Sequence, residues 1–133
     1  MYLLDTNICI YFMKNKYPNL TRKFLSCSNK DLFLSSITLY ELEYGINKSK
    51  WVEKNRLKLY SFLAPLNILP FTVDDAIYAG EIRANLEKQG NIIGPYDIQI
   101  AAQALSRNLA LVTHNVDEFK RVKELKIEDW LVD

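Results

Sequence analysis

Apolar residues fall along this chain in two rhythms. Short apolar runs bounded by turn residues alternate with longer stretches in which apolar positions recur every three or four residues. The first rhythm suits strands buried on both faces, and the second suits amphipathic helices. Tyr2–Asp5 reads as a strand, and Thr6 or Asn7 caps a helix running to about Met13. A second helix starts at Pro18 and reaches toward Cys27. The run "DLFLSS" (31–36) is the next strand, with Ser35 or Ser36 capping the helix "ITLYELEYGINKS" (37–49). "WVEKNRLKLYSFLAPL" (51–66) is a helix ending near Pro65, and "NILPF" (67–71) is a brief strand. "VDDAIYAGEIRANLEKQG" (73–90) has acids in its first turn and Gly90 past its end, as the helix dipole and C-cap favour. "PYDIQIAAQALSRN" (95–108) is a helix with Pro95 at its start. "LALVT" (109–113) is a strand, "VDEFKRV" (116–122) a short helix and "KIEDWLV" (126–132) a final strand.

Strands and helices therefore alternate, and the strands are short and apolar. That order predicts an α/β/α sandwich with a short, mainly parallel central sheet flanked by helices. In such sheets the working crevice lies beyond the carboxyl ends of the strands, so the residues that follow each strand matter most. Asp5 ends the first strand. Thr38 and Glu41 lie just past the second. Asp97 opens the helix before the fourth, and Thr113, Asn115, Asp117 and Glu118 follow that strand. Acids thus recur near one rim.

Helical angles sharpen one of these positions. With Asp97 at zero and ~100° per residue, Ile100, Ala104, Ala101, Leu105 and Ile98 fall on both sides of it. Gln99, Gln103 and Ser106 fall opposite. Asp97 thus sits on the apolar face, where an unpaired carboxylate is costly and a shared metal would compensate. An acid serving only the helix dipole is the plain alternative. On the helix of Glu41 the angles favour neither Glu41 nor Glu43. Glu41 lies beside Thr38 and Gly45 between two apolar arcs, Ile37/Tyr40/Tyr44 and Leu39/Leu42/Ile46.

Composition narrows the chemistry. The 133 residues fit one domain, 1–133, and a 49% apolar, 25% charged chain can bury a core and stay in solution. No apolar run approaches the ~20 residues that span a bilayer, and no secretory leader precedes Asp5, so a cytoplasmic protein with no membrane partner is expected. Cys9 and Cys27 are too few for a disulfide framework and are expected to be buried. The single histidine, His114, rules out a histidine pair within one chain, and no Gly-rich phosphate loop or G-x-S-x-G is present. Several acids without histidine or thiolate partners favour oxygen-liking Mg²⁺, with Mn²⁺ as a substitute. "KSKWVEKNRLK" carries Lys48, Lys50, Lys54, Arg56 and Lys58 around one acid, with Trp51 inside. That composition suits a phosphate backbone and a stacked base, and equally suits a solvated helix face. Lys14 and Arg83 are further candidates.

Taken in order and spacing, "LLDTN", "SSITLYELEYG", "GPYDIQIAAQAL" and "LVTHNVDEF" resemble a PIN-domain ribonuclease, and more closely the VapC toxins of type II toxin–antitoxin modules. "IRANLEKQGNIIGPYD" and "IEDW" resemble the subgroup that cuts initiator tRNA in its anticodon loop. The resemblance covers essentially the whole chain. It implies that Asp5, Glu41 and Asp97 are metal-binding acids, which favours Glu41 over Glu43. The fourth acid stands before the Phe of the last motif and falls on Glu118, where many relatives carry Asp; Asp117 is one residue early. Asp5 and Asp97 are implied as direct ligands, with Glu41 and Glu118 nearby or acting through water. Asn7, Thr113 and Asn115 match polar residues lining the family's site, and His114 matches a variable, non-catalytic position. The implied partners are an RNA substrate, a VapB-type antitoxin whose tail lies across the acids, and a second copy in a homodimer. Operator DNA is reached only through the antitoxin. Two other readings compete: a PIN-like fold that binds without cutting, and a phosphoacceptor receiver domain. The latter would need paired acids after the first strand and a late Lys, which "DTN" and "VTHN" do not offer.

Overall fold

The computed structural model describes Met1–Val132. In chain order it runs β1 (Tyr2–Leu4), α1 (Thr6–Lys14), α2 (Pro18–Ser26), a 3-10 turn (Asn29–Asp31), β2 (Leu32–Ser35), α3 (Ser36–Lys48) and α4 (Val52–Leu63). It continues with β3 (Asn67–Leu69), α5 (Val73–Lys88), α6 (Pro95–Ser106), β4 (Ala110–Val112), α7 (Val116–Phe119) and β5 (Ile127–Glu128). The five strands form one sheet in the order β3-β2-β1-β4-β5, and every neighbouring pair is parallel. In register, Leu3 lies opposite Phe33 on one side and Leu111 on the other.

Alternation along the strands divides the core. Leu4, Leu34 and Val112 face a cluster built from α1, α2, α3 and α4, with Ile8, Leu20, Leu42 and Leu59. Leu3 and Leu111 face the opposite cluster, with Ile82, Leu86, Ile98, Ala101 and Phe119 from α5, α6 and α7. A side chain points to the opposite face at each step along a strand, so three-residue strands suffice to hold two layers together. Each fully buried Leu contributes roughly 1.5–3 kcal/mol. Trp130, 1% exposed, packs edge-on against Tyr2 at the end of the first cluster and donates from Nε1 to Glu128 Oε1 at 2.9 Å.

The chain builds outward from β1 through β2 to β3, then returns to the other side of β1 for β4 and β5. The reversal falls between β1 and β4. Their carboxyl ends diverge into crossovers on opposite faces and leave a crevice there. Asp5 and Thr113 are the first residues past these two strands.

Several details depart from the sequence expectations. Asp5 is not the last residue of the strand but the N-cap of α1, accepting from Thr6 N at 2.8 Å, so neither Thr6 nor Asn7 provides the cap. The carboxylate does so itself because it already stands at the turn. Ser35 is the cap of α3, accepting from Ile37 N, while Ser36 accepts from Phe71 N. The final strand shrinks to Ile127–Glu128, since only those residues reach β4. Cys9 is buried as expected, but Cys27 is half-buried at the end of α2, where its Sγ donates to Lys23 O.

The largest departure is α6. Gln103, on the face expected to be polar and outward, is fully buried. Ser35 Oγ donates to its Oε1, and its Nε2 donates to the carbonyls of Leu69 and Pro70 at 3.2 Å. A buried amide is tolerated when its donors and acceptors are met, and here they tie β2, β3 and α6 together.

Candidate active site

Four carboxylates arrive at the rim from different elements. Asp5 follows β1, Glu41 lies in the second turn of α3, Asp97 in the first turn of α6 and Glu118 in α7. β1, β2 and β4 each lead into a helix after at most three residues, and Asp97 stands on α6 itself, so the acids stand on or beside rigid segments rather than on long loops.

Asp5 is only 6% exposed. Its Oδ1 accepts from Thr6 N, and its Oδ2 accepts from Thr113 Oγ1 at 2.8 Å. Thr113 is fully buried, and its Oγ1 accepts in turn from Asn115 N at 3.0 Å. One backbone amide and one hydroxyl therefore fix both oxygens of Asp5. Burial pushes its pKa above the ordinary 3.8, the Thr113 and Thr6 bonds pull it back, and the charges of Glu41 and Glu118 push it up again.

Thr6 Oγ1 donates to Glu41 Oε1 at 2.8 Å and lies 3.0 Å from Thr38 Oγ1, with Thr38 fully buried. The residue after Asp5 thus positions Glu41, 35 positions away in sequence. Glu43 points elsewhere, its Oε1 3.7 Å from Arg56 Nε of α4.

Glu118 is held on both oxygens. Oε1 accepts from Gly94 N at 3.2 Å, and Oε2 accepts from Asn115 Nδ2 at 2.6 Å. Burial raises its pKa, but the bonds from Asn115, Gly94 and Asp97, with Arg121 nearby, outweigh burial and leave it lowered. Asp97 is the complement. Burial, a hydrogen bond shared with Glu118, and the charges of Asp5, Glu118 and Glu41 raise its pKa from 3.8 to about 7. Near neutrality Asp97 is therefore poised between its protonated and charged forms, while an ordinary carboxyl would be fully charged. Asp117 stands apart, 93% exposed at its side chain and paired with Lys120 at 3.3 Å.

Asn7, Asn115, His114 and Tyr11 line a cleft with Asp5. Asn7 is exposed. His114 is 53% exposed at its side chain, and its Nδ1 lies 3.0 Å from Asp129 Oδ2 rather than bonded to any of the four rim acids. The structure thus gathers all seven sequence-derived positions, Asp5, Asn7, Glu41, Asp97, Thr113, Asn115 and Glu118, around one crevice. Sequence reasoning missed Thr6, Gly94 and Tyr11. The hydroxyl next to Asp5 was the one available signal for Thr6. Gly94 acts through its backbone and Tyr11 sits among other apolar residues of α1, so neither gave a signal.

No ion pair among the described residues involves Asp5, Glu41, Asp97 or Glu118. Nor are three His, Cys, Asp or Glu side chains drawn tightly enough together, as they stand, to hold an ion. The donor chemistry is nevertheless that of a hard cation: oxygen atoms only, with Asp5, Glu41 and Glu118 held at fixed points and the Asp97 carboxyl raised to about 7 by burial and then by its acidic neighbours. A divalent cation would relieve that crowding, and the residues fit one.

Residues 2–125 match the family model described as the PIN domain. The chain is 45% identical over 132 residues to "Ribonuclease VapC2" of Rickettsia felis, covering 98% of each. It is 42% identical over 129 residues to "tRNA(fMet)-specific endonuclease VapC" of Salmonella typhimurium, covering 97% of each. Among solved structures it is similar to DNA-bound VapBC from Salmonella typhimurium, with a TM-score of 0.92, 42% identity and 97% of both chains covered.

Proposed function

The chain belongs to the PIN-domain family, and from that premise we propose that it is the toxin of a type II toxin–antitoxin pair, acting as a single PIN domain. It is a ribonuclease that hydrolyses RNA phosphodiester bonds in the anticodon loop of initiator tRNA and so inhibits translation. The observation that carries this reading is the convergence of four carboxylates, without a cationic partner among the described residues, at the switch point of the sheet. The Salmonella relative's tRNA(fMet) specificity supports the choice of substrate.

The activity depends on Mg²⁺, with Mn²⁺ able to substitute. Asp5 and Asp97 would hold the ion, with Glu41 and Glu118 beside it or reaching it through water. When bound, the cation supplies Lewis acidity, lowering the pKa of a water and offsetting charge on phosphate oxygens. The chain's own part is placement. Thr113 and the Thr6 amide keep Asp5 in one orientation, Thr6 Oγ1 holds Glu41, and Asn115 and Gly94 hold Glu118. Fixing the acids before substrate arrives lowers the reorganisation needed at the moment of reaction.

A VapB-type antitoxin restrains the toxin by laying a segment across the acids, and any operator contact belongs to that partner. The Salmonella neighbour is a VapBC bound to DNA, which supports such a complex. A homodimer is favoured by an exposed aromatic face. Tyr40 and Tyr96, 52% and 40% exposed, pack edge-on at 5.5 Å, and Tyr44 continues the face. No helix among the described residues is long and apolar enough to cross a membrane, and the proposed place of action is the cytoplasm. Incubating purified protein with total bacterial tRNA, with and without Mg²⁺, tests the reading. A single Mg²⁺-dependent cut confined to initiator tRNA is expected; binding without cutting would assign the chain to the non-cleaving alternative.

A further inference from the structure

Glu41 faces more than the acidic rim. It also lines a groove of about 750 Å³ between α1, α3 and α4. Three lysines from separate segments line the same groove: Lys14 in the last turn of α1, Lys16 just beyond it and Lys58 on α4. All three are exposed, and none makes an ion pair among the described residues. Glu41 is the one acid in the lining. Three cations against one acid give a local field that attracts a polyanion, although the whole chain carries only +1.

Gly45 adds an independent observation. It lies one helical turn after Glu41, on the same face of α3, and lines the groove. Glycine inside a helix costs stability relative to alanine. No part of this chain requires it, because a Cβ built at Gly45 would meet nothing within 4 Å. A bare stretch of helix backbone opening into a groove suits close approach by another molecule.

We propose that this groove holds the RNA strand flanking the scissile phosphate, with Lys14, Lys16 and Lys58 engaging its phosphates and Gly45 giving its sugar–phosphate chain room. The inference rests on the ribonuclease reading, since it takes the scissile phosphate to lie at the rim where Glu41 sits. Glu41 links the two, accepting from Thr6 beside Asp5 and lining the groove, so a strand leaving the acids past Glu41 meets the groove next. Its apolar lining, including Met13 and Leu42, offers surface to ribose and base faces. The lysines also offset the repulsion that four carboxylates exert on incoming RNA.

The test uses a fluorescein-labelled initiator tRNA transcript, with binding followed in EDTA over a range of salt concentrations and cleavage followed separately in Mg²⁺. The parent protein is compared with the triple variant Lys14→Ala/Lys16→Ala/Lys58→Ala and with Gly45→Leu. For three lost single-strand phosphate contacts the slope of log K against log salt should become shallower by about two, with affinity near physiological salt down at least ~10-fold. Gly45→Leu should melt at or above the parent temperature, because leucine is a good helix former, yet bind the transcript ~10-fold more weakly. An unchanged slope in the lysine variant, or parent-like affinity in Gly45→Leu, overturns the proposal. Parent-like RNA binding with loss of co-purification with the cognate antitoxin would assign the groove to that protein, and also overturns it. A parent that binds but does not cut defeats the ribonuclease reading instead, and the two failures are told apart by the cleavage lane alone.

Discussion

Each acid at the rim has its own supports, and those supports sort the roles. Asp5 is fixed on both oxygens, and the Asp97 carboxyl, pushed up to about 7 by burial and the neighbouring acids, is the one most affected by the crowding. Replacing either by Asn keeps the shape and removes the charge. Asp5→Asn and Asp97→Asn should each lower cleavage at least ~100-fold, beyond the 10–100-fold typical of groups that merely support a metal ligand, with the circular dichroism spectrum unchanged. The neighbouring acids offer internal controls. Glu118 accepts from Gly94 and Asn115, whereas Asp117 is solvated beside Lys120. Glu41 is held by Thr6, whereas Glu43 turns to Arg56. Alanine at Glu118 and Glu41 should therefore cost more Mg²⁺-dependent cleavage than alanine at Asp117 and Glu43. A larger loss at Asp117 than at Glu118 would move the fourth acid one residue earlier.

At the scale of elements, one buried acid serves the fold rather than the rim. Asp75 is fully buried at the start of α5 and completes a capping box with Thr72. It also receives Ser106 Oγ and, at 3.0 Å, Arg107 Nη2 from the end of α6. Burial raises its pKa, but the bonds from Ser106, Thr72 and Arg107 prevail and leave it below 3.8. A depressed folded-state pKa means that the unfolded chain binds the proton more readily. The stabilisation is therefore fully present above the unfolded value and is lost as pH falls through the folded one. Asp75→Asn should cost roughly 1–3 kcal/mol near neutrality and flatten the acid limb of stability against pH. Urea unfolding of parent and variant between about pH 3 and pH 7 checks both. Equal losses at every pH would show that Asp75 acts through shape and not through charge.

Helices α5 and α6 also show where sequence reading stops. The element order, a serine cap at Ser35 or Ser36, Pro95 at the start of α6 and the placement of Asp97 on its apolar face all follow from local pattern. The burial of Gln103 does not, because its partners Ser35, Leu69 and Pro70 lie more than thirty residues away. Angular periodicity can assign a polar residue to a face but cannot say whether that face meets another element carrying the matching groups.

For the whole molecule, the short strands and their helices were readable, but the strand order was not. Pairing of β1 with β4 joins Leu3 to Leu111 across most of the chain, and no local signal encodes that register. The rim acids could be picked out before the fold because Asp5 and Glu118 follow strands, Glu41 lies on the helix after the second strand and Asp97 on the apolar face of its helix. The choice of Glu41 over Glu43 and of Glu118 over Asp117 rested on the family resemblance. What held them could not, because Thr6 to Glu41 and Gly94 to Glu118 are long-range bonds. The same switch-point geometry that opens a crevice between β1 and β4 brings those distant segments together, and so links fold to site.

End-group analysis of initiator tRNA cut by the parent protein, in Mg²⁺ and in EDTA, tests the central claim most directly. With a single histidine, turned toward Asp129, the chain lacks the usual pair for attack by the RNA's own 2′-hydroxyl. Hydrolysis by a metal-activated water predicts 5′-phosphate and 3′-hydroxyl ends and no cutting in EDTA. A 2′,3′-cyclic phosphate, or cleavage that survives EDTA, would contradict it.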